Sequence, residues 1–179
     1  MDLILDPKKI EALGNLKWDE NQRFRHWLKS KDSQTVAHAF DQLSRQVSAK
    51  IDCTECAICC KSLAIVPKST DIKRLSDGLQ ISPYEFKTKY LKKDFEGDLV
   101  FKQRPCPFLK ANKCSVYEHR PETCRSYPHM ENSHMIGRGW HIVENTRVCP
   151  IVYNTYEAAK NHFGFALPPT KERTPNSEA

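Results

Sequence analysis

Half of the eight cysteines in this chain lie in one short segment that runs from Cys53 to Cys60. Cys53, Cys56 and Cys59 recur at every third residue, so one turn of the chain would bring their thiols to the same side. Three convergent thiolates are the ligands that a zinc ion or an iron–sulfur cluster takes. Because clustered cysteines in an intracellular protein usually bind metal or take part in catalysis, we interpret the segment as a metal-binding site.

Four more cysteines follow at wider spacing: Cys106, Cys114, Cys124 and Cys149. Two of them, Cys106 and Cys149, are followed directly by proline, as is a cluster ligand of bacterial ferredoxins. Their distance from the first segment is much longer than in a ferredoxin, so this match is partial. Four-thiolate zinc sites require nothing but cysteines. The residues therefore leave zinc and an iron–sulfur cluster equally open.

The vicinal pair Cys59–Cys60 restricts how the eight thiols can be divided among metal centres. Adjacent side chains point to opposite faces of an extended chain and are widely splayed around a helical turn. We expect Cys59 to join Cys53 and Cys56, with which it is in phase. Cys60 should point away from them, toward some of the four downstream cysteines. Since eight thiolates divide naturally into two groups of four, the sequence favours two metal centres.

The elements that position these cysteines are predicted to be mainly α-helical, with short irregular strands around the metal site. Capping residues and apolar periodicity predict helices over residues 7–13, 18–29, 33–50, 70–78, 83–91 and 151–163. The third carries an apolar stripe of Val36, Phe40, Leu43 and Val47. Because this helix leads directly into Cys53, we expect it to brace the cysteine segment.

Short strands are expected at residues 63–66, 99–101 and 140–144. A turn at Asn112–Lys113 would bring Cys106 and Cys114 together, and Pro121 would start a single helical turn that carries Cys124.

A length of 179 residues predicts a single small domain with a modest core. We expect residues 1–50 to form N-terminal helices that pack on the core. Residues 51–164 would form the cysteine-cluster metal-binding domain, and residues 165–179 a disordered tail. The sequence contains no apolar run of membrane-spanning length, and its acidic start is unlike a signal peptide. We therefore predict a cytoplasmic protein without a membrane partner.

The formal charge of +6 counts every cysteine as neutral. Two four-thiolate sites, each carrying about −2 when loaded, would lower it to about +2. The basic residues are scattered and form no Lys/Arg run, which argues against a nucleic-acid partner. A protein partner is left open.

Several other side chains near the cysteines could contribute to a metal site. Three are histidines: His129, His134 and His141. Because eight thiolates already suffice, we expect these histidines to have surface or supporting roles. Arg120 and Arg125 could donate to sulfur or to an anionic ligand, with solvated surface charge as the alternative. Tyr117 and Tyr127 are expected to shield the core or the metal site.

The cysteine pattern also resembles that of a known family. The residues that carry the resemblance are Cys53-x2-Cys56-x2-Cys59-Cys60, then Cys106 with Leu109, then Cys114-Ser-Val-Tyr-x2-Arg120-Pro-x2-Cys124-Arg-x-Tyr127-Pro. Over about residues 51–150 this resembles the CxxCxxCC cysteine-cluster family, described as zinc- or iron-chelating. The resemblance implies metal ligation by these cysteines, with Cys149 as an eighth member, and leaves the metal open. Ala57 stands where the family often has glycine.

The function predicted is metal binding, of zinc or an iron–sulfur cluster, through seven or eight thiolates. The candidate ligands are Cys53, Cys56, Cys59, Cys60, Cys106, Cys114, Cys124 and Cys149. Flagellin lysine-N-methylases carry a similar cysteine pattern, so a cluster-dependent protein lysine methyltransferase is one alternative, although the chain shows no recognisable S-adenosylmethionine site. A zinc-stapled interaction module without chemistry of its own is the other. Whether the protein is an enzyme is left undecided.

Overall fold

The structure, a computed structural model, describes residues 2–130 and 139–166 of the chain. Its α-helices are α1 (Pro7–Leu16), α2 (Trp18–Leu28), α3 (Ser33–Ser48), α4 (Cys53–Cys56), α5 (Ile58–Ser62), α6 (Ser69–Leu79), α7 (Pro83–Tyr90), α8 (Glu122–Arg125), α9 (Gly139–Asn145) and α10 (Pro150–His162). The strands are β1 (Leu91–Lys93), β2 (Leu99–Phe101), β3 (Leu109–Lys110) and β4 (Lys113–Cys114), and a 3₁₀ turn spans Tyr117–His119. The predicted mainly helical fold with short strands is confirmed.

The N-terminal helices begin at the capping residues that the sequence indicates. The Asp6 carboxylate accepts a hydrogen bond of 2.8 Å from the Lys8 N–H, with Pro7 at the first helical position. The Asp32 carboxylate caps α3 in the same way, by accepting from the Thr35 N–H at 2.8 Å. Each cap satisfies an N–H that has no partner inside its helix, which fixes where the helix starts.

A first core forms where α10 packs on α3 and α9 packs on α2. Its buried residues are Phe24, Leu28, Val36, Phe40, Val47, Met130, Ile142, Val143, Cys149, Ile151, Val152, Tyr156 and Ala159. The α3 stripe faces this core as predicted, although Leu43 is only half-buried. The N-terminal helices are thus held by the last helix of the chain, and Cys149 lies within their shared core.

A second core is formed by the middle part of the chain, where α6 packs on α7. Its buried residues are Ile72, Leu75, Phe86, Leu91, Phe101, Phe108 and Val116, and Cys106 and Cys114 pack against it partly buried. The Phe108 ring is stacked on Phe86 with centroids 6.2 Å apart. The two cores therefore hold different cysteines, which determines how the thiols can be grouped.

Two small antiparallel hairpins complete the second core. β1 pairs with β2, with Leu91 opposite Phe101, and β3 pairs with β4, with Leu109 opposite Cys114. The turn of the second hairpin is Ala111–Asn112, where both residues have positive φ, 47° and 61°. The predicted turn at Asn112–Lys113 is therefore displaced by one residue, because Lys113 already belongs to β4.

Two predicted strands are wrong. Residues 140–144 lie in helix α9, since burying Ile142 and Val143 against α2 outweighs the strand preference of a short apolar run. Residues 63–66 form no strand; β2 pairs with β1, and the Ile65 carbonyl accepts one hydrogen bond from Phe101 N–H at 3.4 Å.

Gly78 does not end α6, contrary to prediction. The helix continues to Leu79 and ends at Gln80, which adopts the left-handed conformation with φ 56°. A Cβ on Gly78 would lie 2.3 Å from the His119 ring. The glycine therefore allows the 3₁₀ turn to pack closely on α6, because any side chain at this position would collide with His119.

The predicted division into 1–50, 51–164 and 165–179 stays a prediction. Of the predicted tail, the structure describes Phe165 and Ala166, and residues 167–179 lie outside the described part. Phe165 packs on Phe24 with ring centroids 4.9 Å apart. None of the described helices has the length and apolar character that a membrane crossing needs.

Candidate metal centre

A single left-handed residue divides the cysteine segment into the two short helices α4 and α5. Ala57 has φ 49° and ψ 20° and is 3% exposed. Its N–H donates to the Cys53 carbonyl at 3.0 Å, and its own carbonyl accepts from Lys61 N–H at 3.1 Å. An alanine costs about 1 kcal/mol in this conformation, where glycine would cost little. The reversal at Ala57 allows the residues of α5 to face those of α4.

The first group of thiols consists of Cys53, Cys56, Cys59 and Cys149. Cys53 is exposed as a residue, but partial burial of its thiol raises the thiol's pKa, and the nearby Cys56 thiol raises it further. The charges of Cys149 and Cys53 contribute to a raised pKa of Cys59. Cys149 is 7% exposed, and this burial raises its pKa to about 11. Cys53 thus interacts with the other three thiols, and Cys59 interacts with Cys149 as well.

The second group consists of Cys60, Cys106, Cys114 and Cys124. Burial raises the pKa of the Cys124 thiol to about 12, and the charges of the other three thiols add to that effect. The pKa values of Cys106 and Cys114 are also raised, first by burial and then by Cys60 among other charges. The Cys106 N–H donates to the Cys60 carbonyl at 2.8 Å, which fixes the two loops together.

The vicinal pair marks the boundary between the groups. The Cys59 and Cys60 sulfurs are 3.9 Å apart and share a hydrogen bond in which either sulfur can be the donor. This hydrogen bond, with a smaller contribution from Lys61, lowers the pKa of Cys60 to about 7 and raises that of Cys59. The charge of Cys60 also raises the pKa of Cys53, so the two groups interact across this boundary. Cys60 therefore faces Cys106, Cys114 and Cys124, and Cys149 lies with Cys59.

Backbone N–H groups point at three of the sulfurs. Cys149 is the N-cap of α10, where burial raises the pKa of its thiol and the nearby N–H groups of Val152 and Ile151 partly oppose that rise. The Cys106 thiol accepts from Phe108 and Leu109, and the Cys114 thiol accepts from Val116. Such hydrogen bonds stabilise a thiolate over a thiol. They also orient a ligating sulfur, as outer-shell hydrogen bonds do in metal sites.

The chemistry of these donors fits a thiophilic metal. All eight cysteines are free thiols, and none of them forms a disulfide. Burial and mutual repulsion keep most of these thiols neutral, as the raised pKa values show. A bound cation removes that repulsion, because each thiolate then neutralises positive charge. Ligation by each of the eight cysteines stays a prediction.

The described sulfurs do not meet in threes at the spacing of a single tetrahedral ion. Among the described residues, one group of three ligand side chains has its ligand atoms all within 4.8 Å of one another: Asp94, Glu96 and Asp98. The Asp94 Oδ1 accepts from the N–H groups of Glu96 and Asp98, so these residues build the β1–β2 turn. No three cysteine sulfurs in the described part of the chain meet that spacing.

The two arginines beside Cys124 contact backbone carbonyls. Arg120 donates to the Tyr117 carbonyl at 2.7 Å and lies over the Tyr117 ring, 3.7 Å from its centroid. Arg125 donates to the carbonyls of Arg120 and Glu118. Arg120 also lowers the pKa of Cys114 and Cys124 through its charge, although burial outweighs it. The arginines thus brace the Cys124 loop and act on sulfur only through space.

The histidines occupy different surroundings. His129 packs its ring edge-on against Tyr127, with centroids 5.8 Å apart. His141 is exposed on α9, and His134 lies outside the described residues. The expected surface or supporting role of these histidines stays a prediction.

A buried carboxylate holds the turn that carries Cys124. Asp71 is 1% exposed, and its Oδ2 accepts from the Lys68 N–H at 3.0 Å. Its Oδ1 accepts from the Glu122 N–H at 3.0 Å and from Arg74 at 2.6 Å. Arg74 in turn donates to the Arg120 carbonyl at 3.0 Å. Helix α6 is thereby tied to both ends of the Arg120–Glu122 segment that precedes Cys124.

Replacing this carboxylate is expected to cost much more than replacing an exposed one on the same helix. Asp71→Ala would leave two N–H groups without partners and remove the ion pair of the partly buried Arg74, for a loss of about 3 kcal/mol. Asp77→Ala removes only an exposed pair with Lys73 and should cost less than about 1 kcal/mol. Urea unfolding of the two variants measures the difference. Equal losses would contradict the role assigned to Asp71.

Sequence reasoning did not find Asp71 and treated Tyr127 only as shielding. A sequence signal for Asp71 exists, since it stands at the third position of α6, where a carboxylate commonly accepts the N-cap N–H. Its second bond, to Glu122, joins residues 51 positions apart and has no local signal. Tyr127 is recognisable only from its position in space beside the first group.

Comparison with known proteins assigns the family. A family model matches residues 52–150, which is 99 of the 179 residues and includes all eight cysteines. That family is CxxCxxCC, described as "Putative zinc- or iron-chelating domain". Searches of curated proteins and of solved structures give no match. The match covers more than half of the chain and coincides with the two thiol groups, so this protein belongs to the CxxCxxCC family.

Proposed function

We propose that this protein binds metal at two neighbouring four-thiolate centres. The first centre would use Cys53, Cys56, Cys59 and Cys149, and the second would use Cys60, Cys106, Cys114 and Cys124. The observation that supports this proposal is the division of the eight thiols on either side of the vicinal pair. Family membership supports zinc or iron as the metal.

We infer that iron–sulfur clusters occupy these centres. A zinc ion with four sulfurs at about 2.3 Å requires sulfurs about 3.8 Å apart. A cluster places several iron atoms between its corner thiolates, which therefore stand farther apart. The absence of three mutually close sulfurs among the described cysteines suits the wider arrangement. Clusters of this kind supply one-electron transfer when bound.

The chain would contribute ligands, orientation and protection from water. The backbone N–H groups directed at Cys106, Cys114 and Cys149 would stabilise negatively charged sulfur. Cys149 lies in the first core, whereas Cys53 is exposed. The first centre would thus be shielded on its Cys149 side and open to solvent on its Cys53 side. This opening is where a redox partner would approach.

Anaerobic purification from iron-replete cells, followed by metal and acid-labile sulfide analysis, tests the proposal. We expect brown protein that contains iron and sulfide, with substantial loss of colour when Cys53, Cys56 or Cys59 is replaced by serine. Ser62→Ala is the matched control, because Ser62 ends α5 and its hydroxyl donates to the Ile58 carbonyl. Colourless protein with stoichiometric zinc and no sulfide would overturn the cluster in favour of zinc.

A further inference from the structure

A buried hydroxyl beside the first centre has no conventional partner. Tyr127 follows Cys124 by three residues, on the loop that leads from the second thiol group to the first core. Its side chain packs against that core, and its hydroxyl oxygen is buried. Among the described residues, no nitrogen or oxygen forms a hydrogen bond with this hydroxyl. A buried, unpaired hydroxyl costs about 1–3 kcal/mol, so its position requires an explanation.

The groups that surround this hydroxyl are cysteines. The thiols of Cys149, Cys59 and Cys56 all interact with it, and these are three of the four thiols in the first group. Cys149 is buried in the same core against which Tyr127 packs, and it is the thiol that acts most strongly on the hydroxyl. A phenol O–H is a hydrogen-bond donor, and a sulfur beside it can accept.

We propose that the Tyr127 hydroxyl donates a hydrogen bond to the sulfur of the first centre, with Cys149 as its acceptor, and thereby stabilises that centre when it is loaded. This inference rests on the proposed function. A thiolate or sulfide is a stronger acceptor than the neutral thiol of the metal-free chain, so the bond strengthens when metal binds. It would add a side-chain donor to the backbone N–H groups near Cys149.

The proposal predicts an effect confined to one centre. Removal of a hydrogen-bond partner from a metal ligand typically weakens binding about 10–100-fold. Hydrogen bonds to cluster sulfurs also stabilise the added electron, so their loss lowers the reduction potential. A packing role alone would weaken the whole protein without shifting the potential of a single centre.

Tyr127→Phe, which removes only the oxygen, tests this inference on the metal-loaded full chain. Under anaerobic EDTA challenge, we expect half of the metal to leave about 10–100-fold faster than in the wild type and the other half to leave at the wild-type rate. A dye-mediated redox titration should show a more negative potential for one centre. Tyr156→Phe is the control, because that hydroxyl donates to the Asn21 carbonyl at 3.4 Å in the same core.

The outcomes separate this inference from the proposed function. Wild-type protein without cysteine-bound metal would overturn both. Wild-type protein with two loaded centres, together with unchanged release and potential in Tyr127→Phe, would overturn this inference alone. Equal acceleration at both centres, or the same effect in Tyr156→Phe, would also overturn it, since either result would indicate packing.

Discussion

Removal of the metal is expected to unfold the second core while much of the first core survives. Among the described residues, the second core has seven buried members and the first has thirteen. The strands of the second core contain only two or three residues each. Structural thiolate sites contribute on the order of 10 kcal/mol each to folding, comparable to the whole stability of a small domain. The second core is therefore too small to persist when the Cys60 group loses its metal.

The three tryptophans make this prediction measurable. Trp18, Trp27 and Trp140 contact the first core or one another, so their fluorescence reports on that core. Circular dichroism reports on the whole chain. After anaerobic chelation we expect a marked loss of ordered structure and cooperativity by circular dichroism, with a smaller change in tryptophan fluorescence. Hydrogen exchange should show early loss of protection at β1, β2 and α7. An unchanged melting curve after chelation would contradict the prediction.

Local signals in the sequence were sufficient for the helices and insufficient for the strands. Asp6, Asp32 and Ser82 each accept a hydrogen bond at the start of the helix that their position predicts. A capping contact joins residues at most three positions apart, so a short stretch of sequence contains all the residues that form it. The run 140–144 has no such signal, and its helix follows from packing on α2, more than a hundred residues away. Contacts of that range cannot be inferred from one sequence.

The sequence identified the cysteines of the candidate site, but it predicted only part of how they are grouped. The common phase of Cys53, Cys56 and Cys59 follows from their spacing. The approach of the Cys59 and Cys60 sulfurs to 3.9 Å does not, because adjacent side chains were expected to point apart. The position of Cys149 beside Cys59 does not, because it depends on α10 packing against α3. The contacts of Asp71 and Tyr127 depend in the same way on elements far apart in the chain. Spacing thus indicates which residues could bind metal, and the fold determines their grouping.

Replacing the two vicinal cysteines one at a time should remove different centres. Cys59→Ser is expected to lose about half of the metal, from the centre next to the first core, and Cys60→Ser the other half. The reason is the separation of their neighbours: Cys59 interacts with Cys53 and Cys149, whereas Cys60 interacts with the downstream thiols of the second core. Serine keeps the volume and removes the thiolate, so the backbone at Ala57 need not change.

Two further variants turn this into a matched set. Cys149→Ser should reproduce the metal content and spectrum of Cys59→Ser, and Cys124→Ser should reproduce those of Cys60→Ser. The stabilities should differ as well, because loss of the second centre removes the support of the smaller core. Metal analysis of the four variants, purified side by side without oxygen, is the measurement. If Cys59→Ser and Cys60→Ser lose the same metal, the thiols form one shared centre, and the division into two groups of four is wrong.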